Sequence, residues 1–300
     1  MNQDQQQMQA LEIKNVFKYY GELCAVNDLS LSVPKGTCYG LLGPNGSGKT
    51  TTLRMIMNII MPDRGEIKFS ENGNAVGYLP EERGLYPKMK IYELLHFFAE
   101  LRGMDSKVAQ TKIEYWLDRM ELLDRINKRV DELSKGMQQK LQLVVTIIHE
   151  PDFIILDEPF IGLDPIAIEQ LRVIIKELQG EGKTILLSTH WMDQAERLCD
   201  YICLIDKGEK VMEGELKLIK RGFRKNGFIL ELEGESDFLK EIDYVDKIEY
   251  DENQVKVELK EDGDPKEFLK IAFEQGNLRS FKLLEPSLEE IFIEKVRGHK

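Results

Sequence analysis

The sequence predicts an α/β fold in which a mixed, mostly parallel sheet carries a helical subdomain and is followed by a small α+β domain. Over residues 11–220, short apolar runs of strand length alternate with helix-length amphipathic segments. Residues 90–149 show helical periodicity alone, and the pattern changes again after residue 221. We therefore expect one domain over residues 1–222, with a helical subdomain at about 88–150, and a second domain over residues 223–300.

The first domain contains predicted strands on both sides of its helical segment. They lie at residues 11–17, 29–33, 37–42, 65–69 and 75–79 before it, and at 153–156, 184–188 and 202–205 after it. A helix is predicted over residues 50–60. Two apolar helix faces follow, one formed by Ile91, Leu94, Leu95, Phe98 and Leu101, the other by Ala109, Ile113, Trp116, Leu117 and Met120. Strands separated by helices favour a mostly parallel sheet.

The second domain has the order β-α-β-β-α-β, which is the split βαβ pattern, and ends in a further helix. Its strands are predicted at residues 228–232, 245–250, 254–259 and 278–284, with a turn at 251–253, and its helices at 237–242, 265–275 and 287–296. It contains no catalytic motif. We expect an accessory or dimer-stabilising domain.

Composition narrows the possible functions. The net charge is −12 and no stripe of Lys and Arg stands out, which argues against nucleic acid as the main partner. No segment approaches the roughly 18 apolar residues that span a bilayer. Residues 1–10 are polar and glutamine-rich, unlike a signal or anchor, and the four cysteines form no C-x-x-C pair. These features favour the cytosol.

Residues 43–50 read G-P-N-G-S-G-K-T and form a complete G-x-x-x-x-G-K-[ST] loop between a predicted strand and a predicted helix. Its backbone N–H groups can surround phosphate oxygens at the helix N-terminus. Lys49 places a cation on the outer phosphates, and the Thr50 hydroxyl can ligate Mg²⁺. The residues expected to contact the nucleotide are Gly43, Pro44, Asn45, Gly46, Ser47, Gly48, Lys49, Thr50 and Thr51. The loop therefore predicts binding of a nucleoside triphosphate.

Asp157 and Glu158 end an unbroken apolar strand, a pattern typical of a strand buried on both faces. Ligands of such sheets bind at the carboxyl ends of the strands, so both carboxylates are expected beside the phosphates. Asp157 would hold Mg²⁺ directly or through water. Glu158 would orient or deprotonate the attacking water.

Residues 133–137 read L-S-K-G-M and precede an apolar helix. Lys49, this segment, Asp157 with Glu158, and the residues 188–190 (S-T-H) come in the order and rough spacing of the ATP-binding-cassette (ABC) ATPases. Residues 11–220 thus resemble a complete nucleotide-binding subunit of an ABC transporter, with the P-loop NTPase fold of that family. The resemblance identifies residues 133–137 with the family's L-S-G-G-Q segment. Ser134 and Gly136 are retained, whereas Lys135 and Met137 depart from it.

In that family the segment acts in trans, because its hydroxyl, N–H groups and helix N-terminus cap the γ-phosphate held by a second subunit. The resemblance therefore implies that Ser134 and Gly136 serve a partner's nucleotide. Lys135 either adds a cation near that phosphate or faces solvent. Two subunits, identical or homologous, would enclose two ATP molecules.

The resemblance assigns further residues. Tyr20 matches the aromatic residue that stacks on adenine, although Tyr19 is an alternative and either could be a core tyrosine. Asp164 matches a loop that crosses the dimer interface, or it simply caps a turn or helix. His190 matches the histidine that contacts the γ-phosphate and helps position water. Catalysis would then rest on Glu158, His190 and Lys49, with ATP and Mg²⁺ as cofactors.

Glu81 departs from the family, which has glutamine after the stretch matching residues 77–80. In the family this glutamine touches Mg²⁺ and water and senses the permease. Glutamate keeps the oxygen ligand but loses the amide donor and adds a charge. We hypothesise that Glu81 still ligates the metal, together with Thr50 and Asp157, and alters turnover or coupling.

The resemblance implies a cytoplasmic ATPase that drives a separate transmembrane permease and is held at the inner face of the cell membrane through it. A cytoplasmic helix of the permease would lie in a groove between residues 81–87 and the helices from Lys90 onward. The second domain, ending in residues 285–292, resembles that of bacterial exporters of the sodium-extrusion and drug-resistance kind. The alternative is a soluble ABC ATPase acting on nucleic acid or ribosomes. Only 84 residues separate Lys49 from Ser134, too few for the long insertions of DNA-repair members. A GTPase is disfavoured because the chain has no N-K-x-D segment.

Overall fold

A computed structural model describes residues 8–70, 76–82, 84–233, 236–251, 254–260 and 262–298. The backbone forms two compact units, Met1–Leu216 and Lys217–Lys300, whereas the sequence analysis placed the division after residue 222. That each unit folds as a separate domain stays a prediction.

The first unit contains the phosphate loop and most of the secondary structure. Its strands are β1 (Gln9–Tyr20), β2 (Leu23–Pro34), β3 (Cys38–Leu42), β4 (Arg64–Phe69), β5 (Val76–Leu79), β6 (Phe153–Asp157), β7 (Thr184–Thr189), β8 (Tyr201–Asp206) and β9 (Glu209–Glu215). Its helices are α1 (Lys49–Ile56), α2 (Ile91–Leu101), α3 (Ser106–Arg119), α4 (Lys135–Ile147), α5 (Pro165–Gly180) and α6 (Met192–Leu198). Helix α7 (Leu216–Gly222) follows at the division. Ala75, the first residue of the predicted strand at 75–79, lies outside the described residues.

The central sheet has the strand order β5-β6-β7-β3-β8-β9 and is parallel except for β9, which confirms the predicted mostly parallel sheet. Strands β3, β6 and β7 are buried along their whole length, as expected from their continuous apolar sequences. Leu42 pairs with Thr189, and Asp157 pairs with Ser188. The chain segments that follow these three strands therefore emerge side by side at one edge of the sheet.

A second sheet was not predicted. Strands β1, β2 and β4 form an antiparallel sheet of order β2-β1-β4, whose alternating side chains pack on the central sheet. The alternation in residues 11–17 and 29–33 indicated strands but carried no information on which strands they pair with. Strand β9 was also missed, because its sequence is rich in charged residues.

The helical segment matches the prediction in most positions. The predicted apolar faces of α2 and α3 are buried or half-buried, except that Leu101, at the end of α2, is 66% exposed. Helix α1 ends at Ile56 rather than at residue 60, because Asn58 takes a left-handed backbone conformation with φ of 55°.

The second unit is an antiparallel sheet with helices. It contains β10 (Gly227–Leu232), β11 (Val245–Asp251), β12 (Gln254–Leu259), α8 (Pro265–Gln275), β13 (Leu278–Leu283) and α9 (Leu288–Gly298). The strand order is β11-β12-β10-β13, so β12 lies between β10 and β11 and antiparallel to both, as in the predicted split βαβ pattern. Residues Asp237–Glu241 form a 3₁₀ helix in place of the predicted α-helix. Part of the predicted turn, Glu252 and Asn253, lies outside the described residues.

Candidate nucleotide site

A cleft of about 510 Å³ opens where the phosphate loop meets β1, β2 and the ends of the central strands. Its lining residues are Tyr20, Leu23, Cys24, Ala25, Asn45, Gly46, Gly48, Lys49, Thr50, Thr51, Glu81, Glu158 and Lys207. The volume lies within the usual range for small-molecule sites. Most of the residues that the sequence assigned to nucleotide binding thus border one cleft.

Two glycines of the loop are required by close backbone packing. A Cβ atom on Gly43 would lie 2.2 Å from the carbonyl oxygen of Ile205, and one on Gly48 would lie 2.5 Å from that of Ala25. Gly48 also has a φ of 101°, which only glycine adopts readily. Helix α1 begins directly after it without a side-chain cap, so its first N–H groups stay available to an anion.

Lys49 lies almost buried beneath the loop. Its Nζ donates to the carbonyl oxygens of Gly43 at 2.8 Å and Pro44 at 3.1 Å, and lies 3.8 Å from Glu158 Oε1. Burial lowers the pKa of the Lys49 ammonium below its usual value, while the nearby carboxylates act in the opposite direction. The Lys49 ammonium therefore lies at the loop. When a nucleotide binds, phosphate oxygens can replace the carbonyl oxygens as its hydrogen-bond acceptors.

Glu158 is fixed by the end of β7. Its backbone is left-handed, with a φ of 48°, and its N–H donates to the carbonyl oxygen of Ser188 at 2.9 Å. Its carboxylate accepts hydrogen bonds from Thr189 Oγ1 at 3.1 Å and from the backbone N–H of His190 at 3.2 Å. His190 Nδ1 lies 2.8 Å from Glu158 Oε1. Glu158 thus contacts both Lys49 and His190.

Asp157 is completely buried, and neither of its carboxylate oxygens has a hydrogen-bond partner within 3.5 Å among the described residues. Burial raises the pKa of this carboxyl, and the nearby hydroxyls of Ser188 and Thr50 lower it in part. Two unpartnered carboxylate oxygens beside a hydroxyl are hard oxygen donors of the kind that Mg²⁺ prefers. The residues present therefore fit a magnesium ion.

Protein side chains alone would not complete such a site. Within the described parts of the chain, no three His, Cys, Asp or Glu side chains are grouped closely enough to hold a metal ion. Mg²⁺ usually takes one or two carboxylates and fills its other positions with phosphate oxygens and water. The oxygen donors of Thr50 and Asp157 agree with this coordination preference.

We expect the variant Asp157→Asn to be more stable than the wild type and inactive. At neutral pH the native state must keep an unpartnered carboxylate buried, so the neutral amide should raise the free energy of unfolding by about 1 kcal/mol, or Tm by roughly 2–4 °C. Because the native pKa of this acid is raised, the cost disappears as the pH falls through it, and the difference in Tm should shrink toward acid pH.

Thermal unfolding of the nucleotide-free protein between pH 4 and 8, with ATPase assays alongside, checks this expectation. Asp118→Asn, at an exposed position, is the control and should leave Tm within about 1 °C. A lower Tm for Asp157→Asn at neutral pH would contradict the assignment of a buried, unpartnered carboxylate that destabilises the native state.

The two tyrosines at the end of β1 are placed differently. Tyr20 lines the cleft and is half exposed, whereas Tyr19 is absent from the lining and stacks on Phe17 with ring centroids 6.5 Å apart. Of the two alternatives, the geometry favours Tyr20 for contact with a base. Glu81 also borders the cleft, across from Lys49.

Ser134, Gly136 and Asp164 are not brought into the cleft. Ser134 is the N-cap of α4 and its Oγ accepts from the Met137 N–H at 3.3 Å, while Asp164 is the N-cap of α5 and accepts from the Ala167 N–H at 2.9 Å. A Cβ on Gly136 would lie 3.4 Å from the carbonyl oxygen of Gly162. These residues therefore form a separate surface of the first unit.

Sequence reasoning missed Lys207 and part of the cleft wall at Leu23, Cys24 and Ala25. The wall belongs to β2, which begins six positions before the predicted strand at residue 29. Lys207 follows β8 and precedes the unpredicted β9, so no pattern connected it to the phosphate loop.

The fold and the cleft define a nucleotide-hydrolysing enzyme of the P-loop class. Residues 26–161 match the family described as ABC transporter, and residues 214–296 match the one described as ATP-binding protein DrrA1-3-like, C-terminal domain. The uncharacterized ABC transporter ATP-binding protein YhaQ of Bacillus subtilis is 40% identical over 292 residues, which cover 95% of this chain and 98% of that protein. The chain belongs to the ABC transporter ATP-binding proteins. It is an ATPase subunit of such a transporter, and its cofactor is ATP.

Two further similarities support membership of this family. The Nod factor export ATP-binding protein I of Cupriavidus pinatubonensis is 41% identical over 214 residues, covering 68% of this chain and 66% of that protein. The solved structure of an ATP-binding subunit of an ABC transporter is 33% identical, with a TM-score of 0.66 over 71% of this chain and 93% of that one. Among the described residues, the helices are too short or too polar to cross a membrane.

Proposed function

We propose that this chain is one half of a two-subunit ATP sandwich that powers a separate membrane permease, as a homodimer or with a homologous subunit. The observation that carries the proposal is that the expected functional residues of the first unit lie at two separate places. Lys49 and Glu158 line the chain's own cleft and His190 contacts Glu158, whereas Ser134, at the N-terminus of α4, lies outside the cleft. A second subunit would bring its Ser134 to this cleft.

In this arrangement the loop N–H groups and Lys49 bind the phosphates, and Tyr20 contacts the base. Glu158 accepts a proton from the attacking water, and His190 holds the carboxylate in place from Nδ1 while its Nε2 is available to the γ-phosphate. Thr50, Asp157 and Glu81 would hold Mg²⁺, which when bound neutralises phosphate charge. Ser134, Gly136 and Asp164 would contribute from the partner subunit.

The in-trans arrangement predicts complementation between two inactive variants. Ser134→Arg should block capping of the partner's nucleotide, and Glu158→Gln should remove the base of its own cleft. Each variant alone should be nearly inactive. In a mixed dimer one cleft combines the intact Glu158 of one chain with the intact Ser134 of the other, so mixing should restore up to about half the wild-type turnover per mixed dimer.

The measurement is ATPase activity of the two full-length variants, separately and mixed in equal amounts. As a control, the double variant Ser134→Arg/Glu158→Gln mixed with either single variant should restore nothing. Activity of Ser134→Arg alone at the wild-type level would contradict the composite site. No gain on mixing two folded, dimerising variants would do the same.

The permease is proposed to dock at the helical subdomain. Tyr86, Phe97 and Leu101 are exposed there, and the ring of Tyr86 lies 6.2 Å from that of Phe97. The neighbouring loop carries Glu81 and is tied to α4 by Gln142, whose Nε2 donates to the carbonyl oxygen of Pro80 at 3.1 Å. A partner on this surface would therefore be connected to the cleft through residues 80–82.

Export is the proposed direction, because one relative is named for export and the second unit matches a domain of the DrrA1-3-like ATP-binding proteins. The place of action would be the cytoplasmic face of the membrane. Action on nucleic acid is not favoured, since the chain has a net charge of −12 and its relatives are named for transport.

Glu81→Gln tests the proposed metal contact. Removing one negative charge from the cleft should weaken Mg²⁺ binding, so the half-saturating Mg²⁺ concentration for ATP hydrolysis should rise about two- to tenfold. Titration of turnover with Mg²⁺ at fixed ATP measures it. Glu82→Gln, next in the same loop but outside the cleft lining, is the matched control. Equal half-saturation in the wild type and Glu81→Gln would exclude Glu81 as a metal ligand.

A further inference from the structure

Lys207 occupies an unfavourable backbone position at the turn between β8 and β9. Asp206 pairs with Glu209, and the two residues between them have φ values of 47° at Lys207 and 83° at Gly208. Positive φ at both central residues of a two-residue hairpin defines a type I′ turn, whose first position favours Asn, Asp or Gly. Lysine there carries strain that asparagine would relieve.

The turn is fastened to the phosphate loop. The N–H of Gly208 donates to the carbonyl oxygen of Ser47 at 3.0 Å, and the carbonyl oxygen of Gly208 accepts from the N–H of Asn27 at 2.8 Å. A Cβ on Gly208 would lie 2.9 Å from the carbonyl oxygen of Ala25 and 3.3 Å from the Cα of Val26, both in β2. Lys207 is therefore held at the cleft by backbone contacts.

The charges that line the cleft indicate that Lys207 is available to bind an anion. Lys49 and Lys207 are the cations of the lining, and Glu81 and Glu158 are its anions, with Asp157 buried close behind. Lys49 already contacts Glu158 and two carbonyl oxygens. The ammonium of Lys207 makes no hydrogen bond or ion pair with any other residue that the structure describes. Its charge is therefore available to an anion that enters the cleft.

We propose that Lys207 is a nucleotide-binding residue that contributes a second cation to the phosphate chain of ATP, a role that rests on the proposed nucleotide site. The strained turn lies at the Gly48 side of the cleft, where α1 begins, since a Cβ atom on Gly48 would lie 3.6 Å from the Cα of Gly208. A compact ammonium is suited to phosphate as a point charge. The contact is made to the bound nucleotide and not to any group of the chain.

The variant Lys207→Asn separates binding from stability. Asparagine suits the type I′ position, so Tm should stay equal or rise, while the Kd for ATP and ADP should rise about three- to tenfold. The difference should shrink between 50 and 500 mM salt, because the contact is exposed and electrostatic. Adenosine, which has no phosphate, should bind both proteins equally. Lys207→Arg should keep most of the affinity.

Isothermal titration of the full chain with ATP, ADP and adenosine measures these constants. Lys35→Asn is the matched control, since it removes one exposed lysine of the same unit outside the cleft and should leave every Kd unchanged. Equal affinity of Lys207→Asn and the wild type for ATP would overturn the proposal, and so would a loss of equal size for adenosine. Failure of the wild type itself to bind ATP would instead overturn the nucleotide site.

Discussion

Replacing Glu158 with glutamine should leave ATP binding intact and lower turnover about 10²- to 10⁴-fold. Glutamine has the same shape and can still accept the hydrogen bond from Thr189 Oγ1, so the end of β7 should stay in place. Its amide cannot take a proton from water, so the carboxylate that Thr189 and His190 hold in place is lost as a base. The nucleotide should therefore be trapped unhydrolysed.

The trapped state should be visible as a dimer. With ATP present, Glu158→Gln should elute as a stable dimer in size-exclusion chromatography, while ADP should leave it dissociated. Glu181→Gln, an exposed acid after α5, is the control and should behave as the wild type. Retention of full turnover by Glu158→Gln would falsify its assignment as the general base.

Replacing Lys49 with alanine should weaken ATP binding. The Nζ group is the best-buried cation of the cleft, and a charge-assisted contact to phosphate contributes roughly 1.5–3 kcal/mol, so the Kd for ATP should rise about 10- to 100-fold. The variant also removes the cation that lies 3.8 Å from Glu158, which adds repulsion between this carboxylate and the phosphates. Turnover should fall at least as far as binding.

Calorimetric titration with ATP, and turnover at saturating ATP, distinguish loss of binding from loss of chemistry. Lys35→Ala serves as the control for the change in net charge. A Kd for Lys49→Ala within twofold of the wild type would show that the phosphates do not lie at this loop. In that case the roles assigned to Glu158 and His190 would have to be reconsidered as well.

Sequence patterns were most informative where one local rule determines the structure. Residues 37–42, 153–156 and 184–188 read as unbroken apolar runs, and they form the buried strands β3, β6 and β7. The polar residues that follow such strands must meet at one sheet edge. That rule predicted the position of Glu158, the family resemblance assigned His190 to the same phosphates, and the structure shows the contact between them.

Other features depend on contacts between distant segments. The sequence of β1 gives its alternation but not its pairing with β2 and β4, and Leu101 has the spacing of its helix face but lies beyond the core that covers it. Lys207 belongs to the cleft because a hairpin from the far end of the first unit packs on Ser47 and Ala25. Residue type and spacing carry no trace of such an approach.

The left-handed backbone of Glu158 bears on how this chain would change under selection. A non-glycine residue with positive φ costs stability, as does the buried carboxylate beside it at Asp157. Two residues proposed to act on ATP are therefore among those whose substitution should raise thermal stability. Selection for heat resistance alone would favour stable variants without ATPase activity. Selection for transport would retain the destabilising residues Asp157 and Glu158.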